Sequence, residues 1–437
     1  MLLSFNSLFS RMASSITTTF DGERRMYETL GYPKIITFQN CWDMYHRQDI
    51  AHRIIKTYPE ATWRDTATVF VDNGSESNSF GEEWEALSNR LCLPHYLTRL
   101  DILQSIGRYS LLLLLTSDVS NEEGLKEPVD GLNSPDDVLG VQAYSEGDVQ
   151  ISSYDNDVFS PRHGLPDTYR LTTGSHAHNQ QAGAAMPTKT LVVHHSRILH
   201  VAEGTLTNDV FGTPMLESIY NRLIDLEKLL GGASESFWLN ARGGTHFDMD
   251  MGAEFDSEKE KEKMKKDIEA YVHNLTRFMI TKGVAVNPVN FAVHSNEHQV
   301  SAVLDSISSA TGIPKRILIG SERGELASSQ DESNFKARVA ERRSNFAEAM
   351  ILRPLIERFI EWGVLPDVGE FVVDWGEDDE LTPVEKADIG LKQAQALAAY
   401  ANPLGALPEQ IVGPEQFVED VLGMEYKPED VVADLDQ

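Results

Sequence analysis

Apolar side chains recur at helical spacing in the N-terminal third of the chain, and this pattern predicts helices there. In residues 48–65, Ile50, Ile54 and Ile55 fall on one face of a helix. Pro59 is expected to stop this helix, because proline cannot continue a helix interior. A second helical pattern follows and is expected to break at Pro94 before it resumes. This part of the chain is therefore predicted to be mainly helical.

The pattern changes after Tyr109, where a continuous apolar run predicts a buried strand rather than a helix. Residues 117–189 are rich in turn-forming residues and contain the short β-type runs "VLGVQAY", "DVQISSY" and "DTYRLTT". Residues 190–204 predict one or two further strands. We therefore predict an α+β fold with long loops.

Helical periodicity returns in the C-terminal half. Residues 216–230 place apolar side chains on one face and charged side chains on the other, which is typical of an amphipathic helix. Residues 297–311 predict a helix that is closed by Gly312. A further long helix is predicted from about residue 333 to 362, with a kink at Pro354.

The stretch "TGIPKRILIGSERGELASSQDESNF", residues 311–335, fits neither a helix nor a strand and is predicted to be a loop. Acidic residues are interspersed among its basic residues, so ordinary surface ion pairs are one interpretation. The alternative is sparse, weak contact with the phosphates of a moving polymer. The basic residues concerned are Lys315, Arg316 and Arg323 in the loop and Lys336, Arg338, Arg342 and Arg343 on the next helix.

Charge and composition narrow the classes of function. The 437 residues include 68 acidic and 38 basic side chains, for a net charge of -30. This charge argues against a protein that binds nucleic acid tightly over a large basic face. The apolar run near Leu111 is far too short to cross a bilayer, so no membrane contact is expected. Cys41 and Cys92 are too few for a disulfide framework and are predicted to be free thiols.

Local motifs give no support for catalysis, a cofactor or a metal. The segment "GSERGE" lacks the Lys-Ser/Thr pair of a phosphate loop. Strand alternation is expected to point His194 and His195 to opposite faces, so they should not share an ion, and "SHAH" with His176 and His178 is likewise expected to be ordinary histidine. The acidic segment "FDMDMGAEFD" lacks the calcium-loop pattern and is predicted to be a solvated loop.

The order of several segments resembles that of tailed-bacteriophage portal proteins, in particular the phage and prophage branch formerly classed as a domain of unknown function. The resemblance covers about residues 25–365. Its most specific parts are the passage from "SRILHVAEG" to "FGTPMLESIY" and the passage from "TGIPKRILIG" to "ESNF". Further matching segments are "QDIAHRIIKTYPEATWRD", "GRYSLLLLL" and "SPRHGLPDTYRL".

The resemblance implies an elongated α+β portal subunit with an α/β wing, a two-helix stem, a small α/β clip, a long helix behind a tunnel loop and an α-helical crown. Carried onto this chain, the parts are an N-terminal arm (1–30), the wing (31–215), the first stem helix (216–240), the clip (241–295), the second stem helix (296–312), the tunnel loop (313–332), the long helix (333–365), and a wing return with the crown (366–437). Lys315, Arg316 and Arg323 would then lie in the tunnel loop. Candidates for facing DNA or a neighbouring subunit on the long helix are Lys336, Arg338, Arg342 and Arg343.

Such a protein would form a ring, commonly of twelve subunits, at one capsid vertex, through which DNA is packaged and later leaves. Its implied partners are other copies of itself, double-stranded DNA in the channel, the terminase large subunit, capsid and scaffolding proteins, and a head-completion adaptor or tail protein. It would be assembled in the bacterial cytoplasm and reside in the virion. The net negative charge agrees with a channel wall that keeps DNA mobile.

Two other classes of function remain open at this point. A phosphodiesterase-type enzyme related to anti-immunity nucleases would need two His-x-Thr/Ser motifs, and "HNLT" at His273 and "HHS" at His194 come nearest. A monomeric DNA-binding adaptor is disfavoured by the net charge. Ring formation would separate the portal hypothesis from both alternatives.

Overall fold

The computed structural model describes most of the chain and divides it into two units, Met1–Asp374 and Trp375–Gln437. The described residues are 26–71, 79–173, 188–241, 244–249, 259, 262–263, 265–266, 284–289, 295–320, 325–376 and 390–399. Helices and strands are mixed, which confirms the predicted α+β class.

Five helices and one short strand form the N-terminal region, as the periodicity predicts. They are α1 (Met26–Leu30), α2 (Phe38–Arg47), α3 (Asp49–Thr62), β1 (Thr68–Phe70), α4 (Ser79–Leu91) and α5 (Leu93–Ile106). The expected stop at Pro59 is wrong, because α3 continues through this buried proline to Thr62. Proline removes the hydrogen bond to the carbonyl four residues earlier, but the Pro59 carbonyl still accepts the Trp63 N–H at 3.0 Å, so the last turn forms. The break near Pro94 is confirmed: Cys92 has φ 52° and Pro94 lies in the first turn of α5.

Two antiparallel three-stranded sheets follow. The first has the order β3-β2-β7, with β2 (Ser110–Thr116) in the centre, between β3 (Val138–Ser145) and β7 (Ile198–Val201). The second has the order β4-β5-β6, from β4 (Val149–Tyr154), β5 (Pro166–Thr173) and β6 (Lys189–His194). The apolar run after Tyr109 is thus the buried central strand that was predicted.

The predicted amphipathic helix is α6 (Tyr220–Ala241). It begins one turn later than residue 216, since Glu217–Ile219 form a 3-10 turn first. Strands β8 (Gly244–Met249) and β9 (Val284–Val289) pair in an antiparallel fashion. Helix α7 (Glu297–Thr311) then ends at Gly312, whose φ of 70° is the left-handed conformation that closes a helix.

Most of the stretch that the sequence predicts as loop is helical. A short helix, α8 (Lys315–Ile319), follows Pro314, and the long helix α9 (Glu325–Arg342) begins about two turns before residue 333. The prediction failed because Gly320 and Pro314 punctuate the stretch without excluding short helices between them. Residues 321–324 lie outside the described part of the chain.

The long helical segment continues beyond α9 as a π-helix (Arg343–Leu352) and then α10 (Arg353–Glu361). In the π-helix the Arg353 N–H donates to the Glu348 carbonyl, five residues back. Pro354 lies in the first turn of α10, at the change from π to α geometry. Strand β10 (Val372–Asp374) returns to pair with β1, and residues 390–399 are helical in the second unit (α11).

Apolar cores stabilise the first unit, and the described residues include the following two. One joins α2 and α3 to residues 216–223, to Ile307 of α7 and to Leu318 of α8. The other lies between the two three-stranded sheets and includes Leu111, Leu113 and Tyr169. Within the described residues, no helix has the length and apolar content to cross a membrane.

Candidate functional site

Lys315 is the first residue of α8, and its side chain is hydrogen-bonded to the preceding helix, α7. Its Nζ donates to Ser301 Oγ at 2.6 Å, to the Ser301 carbonyl at 3.3 Å and to Asp305 Oδ1 at 2.8 Å. The side chain remains partly exposed. These contacts fix the start of α8 against α7 and hold one positive charge at the surface.

Arg316 and Lys336 make longer ion pairs nearer the solvent. Arg316 Nε lies 3.8 Å from Asp331 Oδ2, and Lys336 Nζ lies 3.7 Å from Glu332 Oε1. The two basic side chains are 33% and 42% exposed. Surface ion pairs of this kind contribute about 0–1 kcal/mol to stability.

Arg338 lies in a cleft of about 430 Å³ between α9, α3 and the segment after β7. A Cβ on Gly312 would overlap the Arg338 guanidinium, so the end of α7 and the middle of α9 approach each other closely here. Tyr58 also lines the cleft, and its hydroxyl donates to the Thr311 carbonyl at 3.3 Å. Burial raises the pKa of Tyr58, although Arg338 beside it acts in the opposite direction.

Arg342 is buried in an ionic network. Its guanidinium forms two hydrogen bonds with Asp101 (2.6 and 2.8 Å), two with Glu203 (2.7 and 3.0 Å) and one with Thr62 Oγ1 (2.8 Å). All five N–H donors are therefore used. Although burial alone would lower the pKa of Arg342, the Asp101 carboxylate raises it, so the side chain stays charged. The network joins the end of α9 to α3, α5 and the residues after β7.

Arg343 is buried on the other side of the same turn. It donates to the Thr62 and Ala61 carbonyls at 3.0 and 3.2 Å and to Asp65 Oδ2 at 3.0 Å. This pairing lowers the pKa of Asp65. The side chains of Arg342 and Arg343 are only 9% and 2% exposed. Within this subunit both side chains contact the chain's own residues, and the idea that they face DNA or a neighbouring subunit stays a prediction.

The basic residues therefore divide into three groups. Lys315 and Arg316 in α8 and Lys336 in α9 are partly exposed, Arg338 and Arg342 line the cleft, and Arg343 is internal. Arg323 lies outside the described residues.

Sequence reasoning missed the carboxylates that hold Arg342. Asp101 falls four residues after Leu97 in α5, so it lies on the buried face, and its exposure is 0%. A carboxylate on the apolar face of a helix is the signal that could have identified a buried ion pair. Glu203 follows a strand, and no periodic pattern indicates its orientation.

The rings of His194 and His195 are arranged differently from the prediction. His194 ends β6 and His195 begins a 3-10 turn, so their rings lie 4.2 Å apart between centroids instead of on opposite faces. The alternation argument failed because it assumed that the strand continues through both residues. His176 and His178, His273 of "HNLT" and the acidic residues after Met249 lie outside the described residues.

His200 has a structural environment. Its ring stacks on Tyr109 at 4.9 Å, its Nε2 lies 2.8 Å from the Val210 carbonyl, and its Nδ1 lies 3.2 Å from the Tyr169 hydroxyl. Burial lowers the pKa of His200 to about 4, so the imidazole is neutral near pH 7. It fixes the loop after β7 to the second core.

Comparisons with known proteins agree with this architecture. A family model described as "Phage portal protein" matches residues 39–399. The fold is similar to that of a chain in the virion of a native gene transfer agent particle, with a TM-score of 0.50, 14% identity, and 90% of this chain and 95% of that chain covered. An HK97 family phage portal protein from Corynebacterium diphtheriae gives a TM-score of 0.39 and 10% identity, with 76% and 93% covered. No curated protein matches the chain significantly.

Proposed function

We infer the function of this chain from its family: it belongs to the phage portal protein family, whose model matches residues 39–399. We propose that copies of the chain close into a ring at one capsid vertex and form a channel for DNA packaging and DNA exit. The family match carries this proposal. The extent of the match supports the proposal, since the matched region begins in α2 and ends with the helix of residues 390–399.

The arrangement of α6 and α7 supports a two-helix stem. The two helices pack together, and Asn296 Nδ2 at the start of α7 donates to the Leu229 carbonyl in α6 at 2.9 Å. The β8–β9 pair lies between them in the sequence, as a clip would. We propose that the sheets and helices before residue 216 form the wing, and that residues after 366 form the wing return and the crown.

We propose that residues 313–332, the tunnel loop, line the channel. Their described part is short helix and helix start rather than irregular loop. Lys315, Arg316 and Arg323 are the proposed DNA contacts, with Lys336 and Arg338 behind them. Few and partly neutralised cations suit a channel, because a polymer must slide past and each firm phosphate contact would slow it.

The role proposed is structural rather than catalytic, and membership of a portal family supports it. The proposed partners are other copies of the chain, double-stranded DNA, the terminase large subunit, capsid and scaffolding proteins, and a head-completion adaptor or tail protein. The proposed location is the portal vertex of the virion, after assembly in the bacterial cytoplasm.

Cryo-electron microscopy of the purified full chain tests the proposal. We expect closed rings with a central channel, with α8 and the start of α9 nearest the axis. Isolated subunits at all concentrations, with scaffolding and capsid proteins also present, would contradict the ring. Rings that place α8 on the outer surface would leave the ring intact and contradict the channel assignment.

A further inference from the structure

A cluster of three metal-ligating side chains lies at one end of the second sheet. Asp167, His194 and His195 each offer a ligand atom, and these atoms lie within 4.8 Å of one another. His194 Nε2 is 3.9 Å from Asp167 Oδ1. All three residues are partly buried, and the cluster lies apart from the basic residues of α8 and α9.

The backbone explains why these side chains meet. Thr168 in β5 is the partner of His194 in β6, so Asp167 lies one position before this pair and next to the point where β6 ends. The chain then turns into the 3-10 segment His195–Arg197, which brings the second imidazole beside the first. Two neighbouring residues on one strand would have pointed apart.

Both imidazoles offer a ring nitrogen to the cluster, and the two rings lie 4.2 Å apart between centroids. Imidazole nitrogen is a common ligand of divalent transition metals. Among the described residues, no hydrogen-bond partner engages the ring nitrogens of His195.

Ser196 orients the His194 ring. Its Oγ lies 2.9 Å from His194 Nδ1 and accepts the Val129 N–H at 3.1 Å. With the proton on Nδ1 donated to this oxygen, Nε2 presents its lone pair towards Asp167. In the other tautomer, Nδ1 accepts the Ser196 N–H at 3.2 Å, so a bound metal would select the first. A polar group behind a ligating histidine is a common feature of metal sites.

The electrostatic surroundings limit the ion that fits. Arg162 lies near the histidines, and its Nη2 donates to the Pro166 carbonyl at 2.8 Å, which fixes the backbone before Asp167. A nearby guanidinium opposes weakly held cations. A site of two imidazoles and one carboxylate instead suits ions that bind nitrogen strongly, such as Zn²⁺.

We propose that Asp167, His194 and His195 bind a divalent transition-metal ion, with Zn²⁺ the best match, and that the ion cross-links β5 to the end of β6. Tetrahedral ligation at bond lengths of about 2.0–2.1 Å places ligand atoms about 3.4 Å apart, so small side-chain adjustments complete the site. Three protein ligands leave the fourth position to water.

The test uses the full chain, stripped of metal with a chelator, dialysed, and titrated with Zn²⁺ by calorimetry. We expect one strong site per chain and a higher unfolding temperature with Zn²⁺ than without it. The double variant His194→Ala/His195→Ala should lose this site, and Ser196→Ala should weaken it by about 10-fold or more. Absorption by bound Co²⁺ should report tetrahedral coordination in the wild-type chain and should be lost in the double histidine variant.

His298→Ala is the matched control, because this histidine is exposed on α7, away from the cluster. It should bind Zn²⁺ as the wild type does. Asp167→Asn keeps the shape of the side chain and removes its charge. Weaker Zn²⁺ binding in a variant that still folds is then due to the lost ligand and not to unfolding. Strong Zn²⁺ binding that persists in the double histidine variant, or the absence of strong binding in a folded wild-type chain, would overturn the proposal.

Discussion

The basic residues of the helical segment from Lys315 to Leu352 fall in two regions with different environments. Lys315 and Arg316 in α8 and Lys336 in α9 form ion pairs at or near the surface. Arg342 at the end of α9 and Arg343 at the start of the π-helix are buried and hydrogen-bonded to α3, to α5 and to the carboxylates of Glu203 and Asp65. The first region is exposed to solvent, and the second stabilises the contacts between these elements.

The two regions differ in how much folding free energy is lost when one partner of an ion pair is removed. A surface cation that loses its partner is solvated by water, so little free energy changes. Removing a buried arginine leaves carboxylates without a counter-charge in a low-dielectric interior. This lowers the free energy of unfolding by several kcal/mol. The two regions should therefore respond in opposite ways to substitution, in stability and in DNA contact.

The largest predicted effect is at Arg342. Arg342→Met removes five hydrogen bonds and leaves the fully buried Asp101 carboxylate without its counter-charge, so we expect the free energy of unfolding to fall by about 3–5 kcal/mol. Urea unfolding followed by circular dichroism measures this. Lys336→Met, on the same helix but at the surface, is the matched control and should change stability by less than about 1 kcal/mol. Equal effects of the two substitutions would contradict the division.

A smaller effect is expected where α7 meets α9. Gly312 has φ 70°, and a Cβ there would overlap Arg338, whereas Gly320 has the same φ with open space around it. Each glycine-to-alanine change should cost about 1–2 kcal/mol for the left-handed backbone. Gly312→Ala should cost more than Gly320→Ala in thermal unfolding. Equal losses would show that Arg338 moves aside freely.

The pH dependence of stability tests another buried group of the first unit. Because His200 titrates at about 4 in the folded chain and near 6.5 when unfolded, the unfolded state binds more protons between these values. The contribution of neutral His200 is thus fully present above about pH 6.5 and is lost as the pH falls towards 4. Unfolding followed from pH 7.5 to 4 should show this loss, and His200→Gln should flatten it. An unchanged slope in the variant would assign the loss to other groups.

The smallest effect on stability, and the clearest on DNA, is expected at the surface cations. Lys315→Gln with Arg316→Gln should change the free energy of unfolding by less than about 1 kcal/mol for each residue. It should also weaken DNA binding to the assembled ring and reduce the salt dependence by about one unit for each lost phosphate contact. Lys56→Gln is the control, since Lys56 pairs with Glu60 on α3, outside the proposed channel. If the control weakens DNA binding equally, these cations are not specific channel contacts.

Periodicity in the sequence predicted much of the fold, including α3, the buried β2 and the closure of α7 at Gly312. It failed where tertiary contacts decide the outcome. Pro59 is buried in α3 and does not end it, and the residues after Pro314 become helical because Leu318 packs into the first core. Charge pattern alone could not separate Arg342 from Lys336, since burial depends on which carboxylates α5 and β7 bring to the helix.

The proximity of His194 and His195 was missed for a related reason. A two-residue periodicity assumes that a strand continues, and no local signal in "HHSR" marks the 3-10 turn that ends β6. Sequence order, in contrast, indicated the portal family, and the family match confirms this recognition. The order of segments along the chain indicates the family without any knowledge of side-chain contacts. The surroundings of a single side chain depend on those contacts.

Native mass spectrometry of the purified full chain tests the central claim, that the chain is a ring-forming portal subunit, most directly. The account predicts one dominant closed assembly whose mass is a fixed multiple of the single-chain mass and does not change with concentration above the assembly threshold. A species that remains a single chain at every concentration, including in the presence of scaffolding and capsid proteins, would contradict it.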